Sequence, residues 1–124
     1  MNFAEVRPKL AAVLAPVADD DPPVLLGADA VDPPCLIVGW DEPAIDVTGV
    51  CNGIAQPVVT VVVGRVSLTD DLAAWDQLVQ NVLRRLRDGG TEFGIRQTGA
   101  PRLFEIGGVP LIAGRIPLRV SVVF

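Results

Sequence analysis

Residues 104–124 read FEIGGVPLIAGRIPLRVSVVF, and the run from Val109 to Phe124 constrains the fold more than any other part of the chain. Its 16 residues alternate: Ile112, Ile116, Leu118, Val120, Val122 and Phe124 share one face, and Arg115, Arg119 and Ser121 share the other. That is the core-in, polar-out pattern of a strand. At ~3.3 Å per residue a straight strand of this length spans about 50 Å. A compact chain of 124 residues has a radius of gyration near ~14 Å, hence a diameter of roughly 35 Å. The strand must therefore bend or overhang. Close to Gly107-Gly108, a two-residue hairpin signal, the pattern inverts. Pairing across the turn puts Phe104, Ile106, Val109 and Leu111 on the face of the arginines. Two outcomes stay open: a bulge at Gly114 flips the register and buries these residues, or the hairpin projects and its apolar tip packs on another subunit.

Upstream, the chain reads as one domain, residues 1–124, of α+β class. Asn2 and Glu5 fit a capping pattern, and Val6, Leu10, Val13 and Leu14 repeat at helical spacing. They predict a first helix over Phe3 to Leu14, kinked at Pro8 where a backbone donor is missing. Short apolar segments at Val24 to Leu26 and Cys35 to Trp40 predict strands. Asp41 to Asn52 reads as a long loop, a candidate contact surface carrying Asp41, Glu42 and Asp46. Ile54 to Val66 predicts a central strand covered on both faces. Asp70 to Asp88 predicts the clearest helix, with Ser67 or Thr69 as cap. Its stripe is Leu72, Trp75, Leu78, Val79, Val82, Leu83 and Leu86. Asp70 and Asp71 at its start and Arg84, Arg85 and Arg87 at its end complement the helix dipole, with binding of acidic partners as a second role for the arginines. Glu92 to Ile106 predicts an edge strand broken at Gly99-Ala100-Pro101. The whole is expected to be one mostly antiparallel sheet with two helices on a face and a long C-terminal β-hairpin.

Charge is unevenly placed. Residues 1–64 hold nine acids against Arg7 and Lys9, while residues 65–124 hold six acids against eight arginines, so −7 and +2 sum to the net −5. Solvated loops account for this. So does a head-to-tail contact in which the acidic side of one subunit meets the basic side of the next. The acidic total argues against nonspecific nucleic-acid binding. The first ten residues carry neither a signal-peptide pattern nor a spanning run, which sets the cytoplasm as the expected compartment.

The residues of most catalytic and metal chemistries are missing. With no histidine, neither a Ser-His-Asp or Cys-His constellation nor an imidazole-metal site can be built from this chain. Cys35 and Cys51 form no C-x-x-C pair and read as buried structural thiols. The glycines spell no phosphate-binding loop. Asp19 to Asp21 lacks the alternating ligand spacing of a calcium loop. The acids fall in loops, caps and helix ends, where solvation explains them. No enzyme activity, cofactor or metal is expected, and Trp40 and Trp75 are expected in the core.

The segments FAEVRPKLAAVLAPV, DPPCLIVGWDEP and PRLFEIGGVPLIAGRIPLRVSV resemble the tail terminator proteins of long-tailed double-stranded DNA bacteriophages, also described as minor tail or head-to-tail joining proteins. The resemblance covers nearly the whole chain as a pattern of order and hydrophobicity. It implies a structural virion protein, assembled in the host cytoplasm and placed at the head-proximal end of the tail. There it forms a homo-hexameric ring on the tail tube, ends tube polymerisation and meets the head-to-tail connector, and DNA slides through its lumen without specific binding. Interface residues expected on that reading are Phe104, Ile106, Val109, Leu111, Arg115, Arg119, Arg84, Arg85, Arg87, Asp41, Glu42 and Asp46. A connector or tube component and, further off, a small-ligand binding domain remain as alternatives.

Overall fold

The computed structural model describes residues 1–18, 20–27, 31–64, 68–106 and 108–124, with the backbone alone at Leu68 and Ile106. A 3-10 turn at Phe3–Glu5 leads into α1 (Val6–Leu14). Then come β1 (Val24–Leu25), β2 (Cys35–Val47), β3 (Asn52–Gly64), α2 (Leu68–Gly89), β4 (Gly94–Ile95), β5 (Arg102–Ile106) and β6 (Val109–Val123). The strands form one mixed sheet in the order β1-β2-β3-β6, with β4 and β5 one after the other along the far edge of β6. Only the short β1–β2 pair is parallel.

Both helices lie on one face, because only one face of the sheet offers a continuous apolar surface. Val59, Val61 and Val63 of β3 and Ile112, Ile116, Leu118, Val120 and Val122 of β6 pack with Val6, Leu10 and Leu14 of α1 and Trp75, Val79, Val82 and Leu86 of α2. The stripe read from the sequence of α2 is thus the stripe it buries. Trp75 fixes the depth of docking: its indole Nε1 donates to the Val61 carbonyl at 3.2 Å. A Cβ at Gly114, which pairs with Val61, would overlap the indole ring. Glycine is required there by the approach of the ring.

That geometry answers the question of the long strand. β6 pairs with β3 without a register shift from Leu111–Gly64 to Val123–Asn52, so no bulge forms at Gly114 and the alternation never flips. Nor does the hairpin stand free as an arm. Only Val109 and Pro110 run past the end of β3, and β5 flanks them. The sheet is simply as long as its strand: β2 and β3 have 13 residues each, against 15 in β6.

Asp41–Asn52 is not the expected loop. β2 continues to Val47, and the turn to β3 is confined to residues 48–51. The acidic, proline-containing composition that suggested a loop marks an excursion inside a strand. Between the rungs Trp40–Pro57 and Ile45–Ala55, β2 supplies four residues where β3 supplies one. A proline in a sheet removes a ladder donor. Here the ladder is interrupted beside Pro57, and Gln56 Nε2 donates to the displaced Pro43 carbonyl at 3.0 Å.

The ends of the helices also differ from expectation. Asn2 Nδ2 donates to Glu5 Oε1 at 3.0 Å, a side-chain pair rather than a cap of the backbone. Pro8 is the third residue of α1, within the first turn, where the backbone N–H groups have no intrahelical acceptor to lose. α2 begins at Leu68, so Thr69 lies inside it rather than capping it. Ser67 and Val66 lie outside the described residues.

Candidate functional site

The second face of the sheet carries no helix, and the expected interface residues are best placed relative to it. Register sets Phe104 opposite Leu111 and Ile106 opposite Val109, on the face that bears Arg115 and Arg119, as the alternation predicts. The face is not uniformly bare. Leu111, at 2% exposure, is buried with Cys35, Val62 and Ala113, and Leu25, Val31 and Ile37 pack against them. Phe104 and Val109 keep 44% and 55% of their surface exposed at the hairpin end, beside Leu103. The Ile106 side chain lies outside the described residues.

The opposite end of the sheet is also apolar, a feature sequence reading missed. Val50 is 95% exposed in the β2–β3 turn, with Val47, Val123 and Phe124 exposed around it. Cys51 shares that turn and is exposed, which corrects its expected burial; Cys35 is buried as expected, and burial pushes its thiol up. The signal for this end was Thr48-Gly49 between two strands, which a long-loop reading concealed. Phe124, expected on the core face, instead ends the sheet with its N–H on the Cys51 carbonyl at 2.9 Å.

The charged candidates divide. Arg85 is a structural tie: its guanidinium donates to the carbonyls of Leu14 and Ala15 at the end of α1 and to Asp21 Oδ2 at 2.6 Å. Asp21 also accepts from the N–H groups of Val17 and Ala18, and these bonds, with Arg85 after them, hold its carboxyl below the usual carboxylate range. Arg87 pairs with the adjacent Asp88 in solvent, and Arg84 lies exposed beside that pair. Asp41 Oδ1 accepts from the Glu42 N–H and meets Arg115 Nη2 at 3.5 Å, so the acid and the base expected to meet across copies touch within one chain. Glu42 and Asp46 are exposed on β2.

A shallow concavity of about 460 Å³ opens on the helix-free face between Arg102, Phe104, Gln97, Asp41 and Arg115. Among the described residues no group of three or more histidines, cysteines or acids is placed to hold a metal ion. No described helix is long and apolar enough to cross a membrane.

The molecule these features define is an α+β chain with its helices on one face of a long sheet, apolar at both ends of the sheet and charged along its free face. No protein-family model matches the chain, and no curated protein is found to match it.

Proposed function

We propose that the chain is a structural subunit that caps a phage tail tube. On this reading copies form a homo-hexameric ring on the tube end, stop further polymerisation, and present a different surface to the head-to-tail connector. The observation that carries the reading is the placement of exposed apolar side chains. Of ten large hydrophobics exposed among the described residues, seven gather at the two ends of the sheet: Val47, Val50, Val123 and Phe124 at one, Leu103, Phe104 and Val109 at the other. Exposed apolar groups gathered in this way mark interaction sites. Two such ends, separated by about 12 residues of strand or roughly 40 Å, suit a subunit with one neighbour above and another below.

On this reading the two ends bind different partners. A tube subunit must offer at its far end what the next tube subunit binds, whereas a cap binds the tube with one end and offers another surface beyond. The direct test is the absolute mass of the protein over a concentration series, alone and with tail tubes. A ring mass, or a monomer that binds tube ends and halts their growth, supports the reading. A concentration-independent monomer that ignores tubes overturns it.

A further inference from the structure

Most cations of the chain are already engaged within it. Lys9 pairs with Glu92, Arg85 with Asp21 and Arg87 with Asp88; Arg7 donates to the Leu26 carbonyl, Arg115 reaches Asp41, and Arg84 acts on Asp88. Among the described residues this leaves Arg96, Arg102 and Arg119 with no hydrogen bond, ion pair or electrostatic partner, Arg84 having only the last. All three lie on one lateral side of the sheet. Arg119 stands opposite Gly94, Arg96 directly follows β4, and Arg102 opens β5 opposite Ala113. Arg119 Nε is buried with no acceptor, which a well-packed protein seldom leaves so.

On the other lateral side, β2 exposes Glu42 and Asp46, whose carboxylates meet no described cation. Arg96 and Arg119 sit at the height of these two acids, whereas Arg102, on the rung of Ala113 and Val62, lies about six residues nearer the hairpin end. Arg119 lies between the rungs Ala55–Val120 and Val58–Pro117. Glu42 lies between Trp40–Pro57 and Ile45–Ala55, and Asp46 pairs with Ile54 one rung further. Alternation puts Asp46 and Arg119 on the same, helix-free face.

We infer that the Arg96–Arg119 edge of one copy docks on the Glu42–Asp46 edge of a second copy, head to tail. The inference rests on the reading of the chain as an assembling subunit and supplies its lateral contact. A heterologous contact closes into a ring only when it adds no rise along the axis. Acids and bases at equal height allow a contact without rise. A second copy is favoured over a nucleic-acid duplex because the chain is itself an anion of net charge −5, with nine of its fifteen acids in residues 1–64.

Reciprocal charge reversal tests this. Arg96→Glu and Glu42→Arg/Asp46→Arg change only exposed side chains, and circular dichroism checks that each variant folds. Self-association is read by sedimentation, in concentrated solution and on tail tubes. Each variant alone should associate at least ~tenfold more weakly than the parent at low salt. An equimolar mixture should recover association, because the variants can alternate around an even-numbered ring. If either variant alone assembles as the parent does, or the mixture fails to recover, the inference is overturned. It also falls if the arginine variant self-associates normally while losing affinity for a 20-base-pair duplex. Variants that still cap tubes sink the lateral contact and leave the capping reading standing; a parent that never caps tubes sinks the capping reading, and its self-association in solution still decides the contact.

Discussion

Single residues set the sharpest limits on this fold. Gly114, the place of the bulge in one of the two outcomes the sequence leaves open, lies in a regular rung beneath the Trp75 ring. Gly114→Ala forces the ring and its bond to Val61 apart, an overpacking that should lower stability by about 1–3 kcal/mol, visible as a lower urea midpoint. No one-dimensional pattern shows this, because the indole reaches Gly114 from a helix about forty positions upstream. The two cysteines make a second test. Cys51, exposed in its turn, should react with a thiol reagent in the native protein, whereas buried Cys35, its thiol pushed up, should react only after unfolding. Two fast thiols per chain would contradict the packing of Cys35.

Elements whose periodicity faces one way were legible: α1, α2, β3 and β6 form where their apolar spacing places them. The lower half of β2 was not. Asp41, Glu42 and Pro43 carry loop chemistry, and only the partner strand shows that they interrupt a strand without ending it. The tie between helices was equally hidden. Arg85 appears in sequence as a complement to the dipole of its own helix, yet it serves the end of α1, across 70 residues of chain. Arg85→Ala leaves those carbonyls and Asp21 without their partner and should cost about 2 kcal/mol. The pH dependence has a definite sign. Since the Asp21 carboxyl is depressed in the folded state, its stabilisation is present above the unfolded value of about 3.9 and is lost as pH falls through the folded one. Asp21→Asn should therefore destabilise near neutral pH, and the gap to the parent should close on acidification below about pH 4. A gap that widens instead would show that the carboxyl is not held as an anion.

At the scale of the molecule, both ends of one sheet expose apolar groups, the β4–β5 side exposes Arg96 and Arg102 with Glu105, and the β2 side exposes Glu42 and Asp46. The α+β class and the face shared by Phe104, Leu111 and the arginines were legible from alternation. The lateral arginines were not, since Arg96 and Arg102 gain their place only from pairing with β6. The ends can be tested separately. Val50→Asp and Val109→Asp alter exposed positions at opposite ends and should leave thermal stability nearly unchanged. On the capping reading, one should lose binding to tubes while keeping the connector, and the other the reverse. Leu111→Asp, two residues from Val109 but buried, should instead lose several kcal/mol, since a charge there has no partner. Equal behaviour of Val109→Asp and Leu111→Asp would mean that the hairpin end is core.

The aromatic inventory gives the protein an optical property of its own. It has no tyrosine, so ultraviolet emission comes almost entirely from Trp40 and Trp75. Trp40 stacks on Phe3 with ring centroids 4.7 Å apart, and Trp75 is locked to the central strand. One indole thus reports whether the first residues are docked and the other whether α2 is seated on the sheet. Single-tryptophan variants would let a spectrofluorimeter follow the two events apart.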